Sequence, residues 1–322
     1  MLVTSVLLAS YAVFSTFASA ATAAVWRAGL LDRDRPTPST RARRLAVLRA
    51  FPAIVGALVT LAVVAPGYLA FEPPHAYEEA GAALVALASL GALLLMSAVV
   101  IACRACLSTW RLERAWLRSA SAIEFTPPAG VPAYVVESLA PVVALIGVFS
   151  PKLVTARSVI TICSEPELAR IVAHERGHLH AHDNLKRWLI ASAPDALRWT
   201  PYHREIEAAW YDASEDAADD AATTGDVMAR VDLAALLVKI AGLAPTAPWS
   251  SAAVSPFVEG DGLDRRVRRL LEGDIDSARS AWPATACVAC VCATVLVGTA
   301  LSSSTALQTI HEAIEALVAL GR

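Results

Sequence analysis

Long apolar runs without charged residues dominate the first third of the chain and return near its end. Four of them are about as long as the roughly 20 helical residues that cross about 30 Å of hydrocarbon. They cover residues 2–25, 51–71, 80–103 and 282–301. A buried core helix could explain one such run, but it is a poor explanation for four. The pattern therefore predicts four transmembrane helices.

The first run admits a second interpretation, because Ala18-Ser19-Ala20 resembles the small-residue site at which signal peptides are cleaved. No Lys or Arg precedes this run, and it is longer than the apolar part of a usual signal peptide. We therefore favour a helix that is retained in the mature protein.

Between the third and fourth apolar runs the pattern changes three times. A basic stretch at 104–121 is expected to continue the third helix to the membrane interface. Three β-rich stretches at 133–137, 142–148 and 152–155 predict a short antiparallel sheet or hairpin. From Ser164 the spacing becomes helical, and we expect this helix to extend to about Ile190.

Positive charges predict the orientation in the membrane, since loops rich in Lys and Arg stay in the cytoplasm. The region 26–50 contains seven arginines, whereas the second loop contains acidic residues and no Lys or Arg. This places both termini outside and the region 104–280 in the cytoplasm, followed by the fourth helix at 281–301 and a short outer tail at 302–322.

Composition supports a membrane protein, because 56% of the 322 residues are hydrophobic and only 18% are charged. The net charge of −3 argues against direct nucleic-acid binding, which needs a concentrated basic face. Cysteine spacings such as Cys103-x-x-Cys106 could indicate a metal or redox pair. Five of the six cysteines fall in or beside predicted membrane helices, where Cys behaves as a small apolar residue.

The chemistry of the chain is concentrated in His174-Glu175-Arg176-Gly177-His178. A spacing of four residues places both imidazoles on one face of a helix, where they can bind one zinc ion. Glu175, next to the first ligand, is placed to take a proton from water at the metal. We therefore predict a catalytic site with one Zn²⁺ per chain.

A catalytic zinc site needs a third protein ligand, and two residues compete for that role. His182 continues the same stripe, but on an unbroken helix it would lie about 12 Å along the axis from His174. Glu215 lies on a second polar helix at 205–222, and Asp219 follows it by one turn, where it could orient a ligand imidazole. We favour Glu215, although such an acidic run can also be an ordinary solvated helix face.

These residues resemble a family, the integral-membrane gluzincins. The likeness lies in Glu167-Leu168-x-x-Ile171-Val172-Ala173-His174-Glu175-x-x-His178-x-x-x-x-Asp183 and in Glu215-x-x-Ala218-Asp219-Asp220. It is greatest to BlaR/MecR-type peptidases and more distant to the HtpX and Ste-type proteases. The resemblance covers approximately residues 141–271.

The resemblance implies a mainly α membrane protein with four transmembrane helices and a cytoplasmic α+β zinc peptidase domain. It implies zinc ligation by His174, His178 and Glu215, with Glu175 as general base and then acid. Asp183 and Asp219 would have supporting roles. Arg266 resembles a downstream arginine that contacts substrate or the oxyanion, although Arg-rich amphipathic helices are more often solvated faces.

By the same resemblance, the substrate would be a winged-helix repressor of the BlaI/MecI type or the peptidase itself. A second enzymatic interpretation is HtpX-like processing or quality control of membrane proteins. A third interpretation is a structural zinc site in a membrane scaffold or signalling adaptor. Because only residues 302–322 follow the last predicted helix, direct β-lactam sensing by this chain is not expected.

Overall fold

The computed structural model describes residues 2–71, 81–118, 120–122, 131–138, 142–243, 254–256 and 262–273, together with Glu312. The fourth predicted membrane helix at 282–301 lies outside the described residues. The predicted outer tail is also outside them except for Glu312, as are Cys287, Cys290 and Cys292.

Three of the four predicted membrane segments are confirmed as helices long and apolar enough to cross a membrane. The first is α1 (Leu2–Arg27). The second consists of α2 (Pro38–Val59), one π-helical segment (Thr60–Val64) and α3 (Ala65–Phe71), which follow one another without interruption. The third is α4 (Ala82–Leu117), which continues through most of the basic stretch predicted at 104–121, whereas Ser121 lies in a strand.

The membrane helices pack closely enough to need glycine at one position. A side-chain carbon on Gly91 of α4 would lie 2.1 Å from the backbone oxygen of Leu8 on α1, which is an impossible contact. Glycine therefore allows the two helices to approach backbone to backbone, as small residues commonly do in membrane bundles.

The region 26–50 differs from its expected form as a loop, because it is helical from Pro38 onward. Thr37 caps this helix by accepting a hydrogen bond from the backbone amide of Thr40 at 3.4 Å. Arg44 and Arg49 on this helix are buried, so they contribute to packing as well as to the positive charge of the region.

The β-rich region forms a five-stranded mixed sheet in the order β1-β2-β4-β3-β5. The hairpin of β3 and β4 is antiparallel as predicted, but β2 pairs with β4 in parallel, so an entirely antiparallel sheet was the wrong expectation. The strands are β1 (Ser121–Ala122), β2 (Ala133–Val136), β3 (Val143–Ile146), β4 (Lys152–Ala156) and β5 (Val254–Pro256).

The described part of the chain contains six further helices, of which α5 and α6 contact the sheet directly. The main apolar core lies between β3, β4, α6 and α9, where residues such as Leu145, Leu153 and Leu237 are almost fully buried. The helices are α5 (Arg157–Ile162), α6 (Glu165–Ala181), α7 (Asp183–Ser192), α8 (Pro201–Thr223), α9 (Val227–Ala241) and α10 (Leu263–Glu272).

A buried polar network around Asp195 joins the membrane helices to α8. The hydroxyl groups of Ser19 on α1 and Tyr202 on α8 both donate to the Asp195 carboxylate at 2.7 Å. Arg49 on α2 lies 3.5 Å from the same carboxylate. Burial alone would raise the pKa of Asp195, but hydrogen bonds from His203, Ser19 and Tyr202 hold this pKa well below its usual range. Asp195 is therefore a buried anion whose ionised state depends on these hydrogen-bond partners.

Replacing Arg49 with Met should destabilise the fold by about 3–5 kcal/mol, because it leaves the Asp195 charge buried without its cation. Unfolding of the purified full-length protein in detergent measures this effect. The matched control is Arg41→Met on the same helix, which removes the solvent-exposed ion pair with Asp32 and should cost at most about 1 kcal/mol. Equal losses in the two variants would contradict the importance of the buried pair.

Candidate metal centre

Helix α6 presents the histidine motif to the interior of the domain. It begins with a capping box, in which Ser164 and Glu167 satisfy each other's backbone amides. Its inner face then carries His174, Glu175 and His178, all almost completely buried. The four-residue spacing places the two imidazoles one helical turn apart, as the sequence predicted.

Helix α8 crosses α6 at a point where neither helix has a bulky side chain. A side-chain carbon on Gly177 would lie 3.1 Å from the Cα atom of Ala218, so glycine keeps the two backbones close. This close approach brings Glu215, one turn before Ala218 on α8, to the two imidazoles of α6.

The three predicted ligands converge on one point. The Nε2 atoms of His174 and His178 are 3.1 Å apart. Oxygen Oε1 of Glu215 lies 3.4 Å from Nε2 of His178, and Oε2 lies 3.6 Å from Nε2 of His174. Among the described residues these three side chains form the group that could hold a metal ion.

The outer nitrogens of both imidazoles face carboxylates. Nδ1 of His174 lies 3.0 Å from Asp219, and Nδ1 of His178 lies 2.8 Å from Asp183. When each Nδ1 donates a proton to its carboxylate, each Nε2 directs a lone pair to the point shared with Glu215. The two acidic residues thus lie where imidazole-orienting partners are needed.

Asp183 reaches His178 because the helix breaks, which corrects the prediction of one helix from Ser164 to about Ile190. His182 adopts a left-handed conformation with φ 55°, and α7 starts at the next residue. The side-chain amide of Asn184 donates to the carbonyl groups of Leu145 and Gly147, both at 3.0 Å, and so fixes the start of α7 to β3. The break does not bring His182 to the metal centre. This residue is exposed and does not belong to the group of side chains that could hold a metal ion.

Arg266 on α10 lies beside the candidate ligands. Its guanidinium binds the Asp219 carboxylate with two hydrogen bonds of 2.6 and 2.9 Å and lies 3.0 Å from Glu215. Burial alone would raise the pKa of Glu215, but Arg266 and the two histidines hold this pKa well below its ordinary value. Arg266 therefore keeps the buried carboxylate ionised, which a metal ligand requires.

Glu175 is the fourth member of the predicted site. Its carboxyl group is fully buried, and neither oxygen has a hydrogen-bond partner within the geometric limits of such bonds. Burial raises its pKa to about 8, while the neighbouring His178 and the backbone of Leu145 act in the opposite direction. A buried carboxyl group beside two imidazoles, with no side chain bonded to it, is available for proton transfer.

The spacing of the ligand atoms fits zinc. Two ligands bonded to one tetrahedral zinc ion at about 2.0–2.1 Å are separated by about 3.3 Å. The two imidazole nitrogens, 3.1 Å apart, lie close to this value, and each has a different Glu215 oxygen at 3.4 or 3.6 Å. Two opposed imidazole lone pairs and a carboxylate repel one another, so their convergence favours a cation at the shared point. Three protein ligands also leave a fourth tetrahedral position open, as catalytic sites do.

The three cysteines in the described part of the chain do not contribute to this centre. Cys103, Cys106 and Cys163 have free thiols, and none belongs to the metal-capable group found among the described residues. Cys103 and Cys106 lie on α4, where they occupy positions of an ordinary apolar helix.

Comparisons with models of protein families and with characterised proteins find no match to this chain. The function is therefore inferred from the residues and the geometry of the site.

Metal analysis of the purified protein should find about one zinc per chain, and His178→Ala or Glu215→Ala should lose it because each removes a ligand. Asp219→Asn, which keeps all three ligands, should bind zinc about 10–100-fold more weakly, as loss of an imidazole-orienting carboxylate does. Competition with a chelator of known affinity measures the difference. Asp220→Asn is the matched control on the exposed side of α8 and should keep the original affinity.

Proposed function

We propose that this protein is a membrane-bound zinc metalloendopeptidase that hydrolyses peptide bonds at the cytoplasmic side. The observation that carries the proposal is the convergence of His174, His178 and Glu215 from two helices, with the unpartnered carboxyl group of Glu175 beside them. Structural zinc sites usually have four protein ligands, and their role does not require a buried carboxyl group beside the metal.

Zinc at this point would supply Lewis-acid chemistry, polarising the scissile carbonyl group and making the attacking water more acidic. His174, His178 and Glu215 would hold the ion, and Asp219 and Asp183 would fix the orientation of the imidazoles. In its ionised form, Glu175 would accept the proton of the attacking water and then transfer it to the leaving amine. Arg266 would keep the Glu215 and Asp219 carboxylates ionised.

Strand β3 is the natural support for an extended substrate, because it lies next to the active-site helix and is anchored by Asn184. Its outer edge is paired with β5 in antiparallel register, with Leu145 opposite Ser255. A peptide could therefore pair with β3 only after β5 moves away. Alternatively, β5 itself occupies the position of a substrate strand. The second option suits a peptidase that acts on its own chain.

The proposed location is a cell membrane, with both termini outside and the catalytic domain in the cytoplasm. Its support is the set of three apolar helices and the seven arginines of the region 26–50. The likeness to BlaR/MecR-type peptidases suggests a cytoplasmic winged-helix repressor or the chain itself as substrate. HtpX-like processing of membrane proteins is the alternative, and it would have the same zinc centre and a different partner.

Replacing Glu175 with Gln should keep zinc bound and lower cleavage at least about a hundredfold, because the general base is lost. Newly formed protein N-termini in cells that express the original chain, compared with cells that express the variant, identify the cleaved bonds. A peptide covering one of those bonds then gives the rate in vitro.

Glu165→Gln is the matched control, since it makes the same chemical change in the exposed first turn of the same helix. It should leave both zinc content and cleavage unchanged. Undiminished cleavage by the Glu175 variant with its zinc intact would contradict the proposed mechanism, and would leave a zinc-bearing scaffold as the better description.

A further inference from the structure

A groove of about 810 Å³ lies on the side of α6 that faces away from the zinc ligands. We call it the Arg43 groove, and define it by Arg43 on α2, Ala169, Arg176 and His180 on α6, and Ala221 on α8. None of the residues of the proposed peptidase chemistry lines it except Asp183, which meets its inner end. The groove is therefore distinct from the zinc centre.

The shape of the groove is elongated. Its wall on α6 runs from Ala169 to Ala181, a length of about 18 Å along the helix axis. Most of the other side chains on this wall and on the facing part of α8 are small, and they include Gly177 and Ala217. A long groove with small apolar walls suits a helix of about 12 residues better than it suits a compact molecule.

The groove has positive charge at its rim. Arg43 and Arg176 are exposed, and neither guanidinium forms an ion pair with any residue in the described part of the chain. His180 adds a third basic side chain. The acidic group at the groove, Asp183, is buried and already engaged with His178 and Lys186. The rim therefore lacks negative charge to balance its cations.

We propose that the Arg43 groove binds an acidic amphipathic helix of a cytoplasmic partner protein. The apolar face of that helix would lie against the alanines of α6 and α8, and its flanking carboxylates would pair with Arg43 and Arg176. The groove would act as a docking surface on the opposite side of α6 from the zinc ligands. This inference does not depend on peptidase activity, because binding alone is its readout.

The test uses the purified full-length protein in detergent and a fluorescent synthetic peptide of about 14 residues, long enough to fill the groove as a helix. The peptide has alanine and leucine on one face and glutamate along both borders of that face. Fluorescence anisotropy should show saturable binding, and the variant Arg43→Glu/Arg176→Glu should bind at least tenfold more weakly. Arg204→Glu, which reverses an exposed charge elsewhere on α8, is the control and should keep the affinity.

A steric variant separates docking from general charge attraction. Ala169→Trp adds a large side chain at an exposed position of the groove wall and should also weaken binding at least tenfold, while Ala208→Trp on an exposed part of α8 should not. Unchanged zinc content and melting temperature show that each variant is folded. Failure of the unmodified protein to bind the peptide would overturn the proposal. So would equal binding of a scrambled peptide with the same composition, or undiminished binding by either groove variant.

Discussion

The structure depends on the balance of charge in a space closed to water at the crossing of α6 and α8. Glu215, Asp219 and Asp183 place three carboxylates there, and Arg266 supplies one buried cation, which leaves two negative charges unbalanced among these groups. Lys186 approaches Asp183 from the solvent side but is not buried. Unbalanced buried charges cost several kcal/mol each, and a divalent cation between the imidazoles would resolve the deficit. The same requirement explains why α10 packs against α8 through arginines.

Much of the centre could be predicted from the sequence because its spacing is local. His174 and His178 belong to one helix, and Glu215 and Asp219 belong to another, so helical periodicity alone places each pair on one face. The contact between the two helices could be predicted because a catalytic metal site needs a third protein ligand. The long apolar runs were equally informative, because chain length and hydrophobicity directly limit what can cross a membrane.

The features that could not be predicted depend on contacts between distant segments. No Gly or Pro lies between His178 and Asp183, and the helix breaks there because Asn184 is held by the backbone of β3. The parallel pairing of β2 with β4 likewise joins segments that are separated along the chain. Arg49 was interpreted as a topology signal, since nothing local reveals that its partner Asp195 lies 146 residues away. The position of Arg266 at the metal ligands has the same cause.

The unbroken helix α4 is joined by a hydrogen bond to α7, the helix that begins beside the candidate metal centre. The indole of Trp188 on α7 donates to the carbonyl group of Ala102 on α4 at 3.2 Å, near the end of the apolar part of that helix. Helix α7 begins at Asp183, beside the zinc ligands, and its 10 residues span about 15 Å. If the chain is the proposed peptidase in the proposed orientation, this fixed distance would favour cleavage of bonds close to the lipid headgroups. Segments that emerge directly from the membrane, or flexible tails tethered close to it, would come within range, whereas sites deep in a distant folded domain would not.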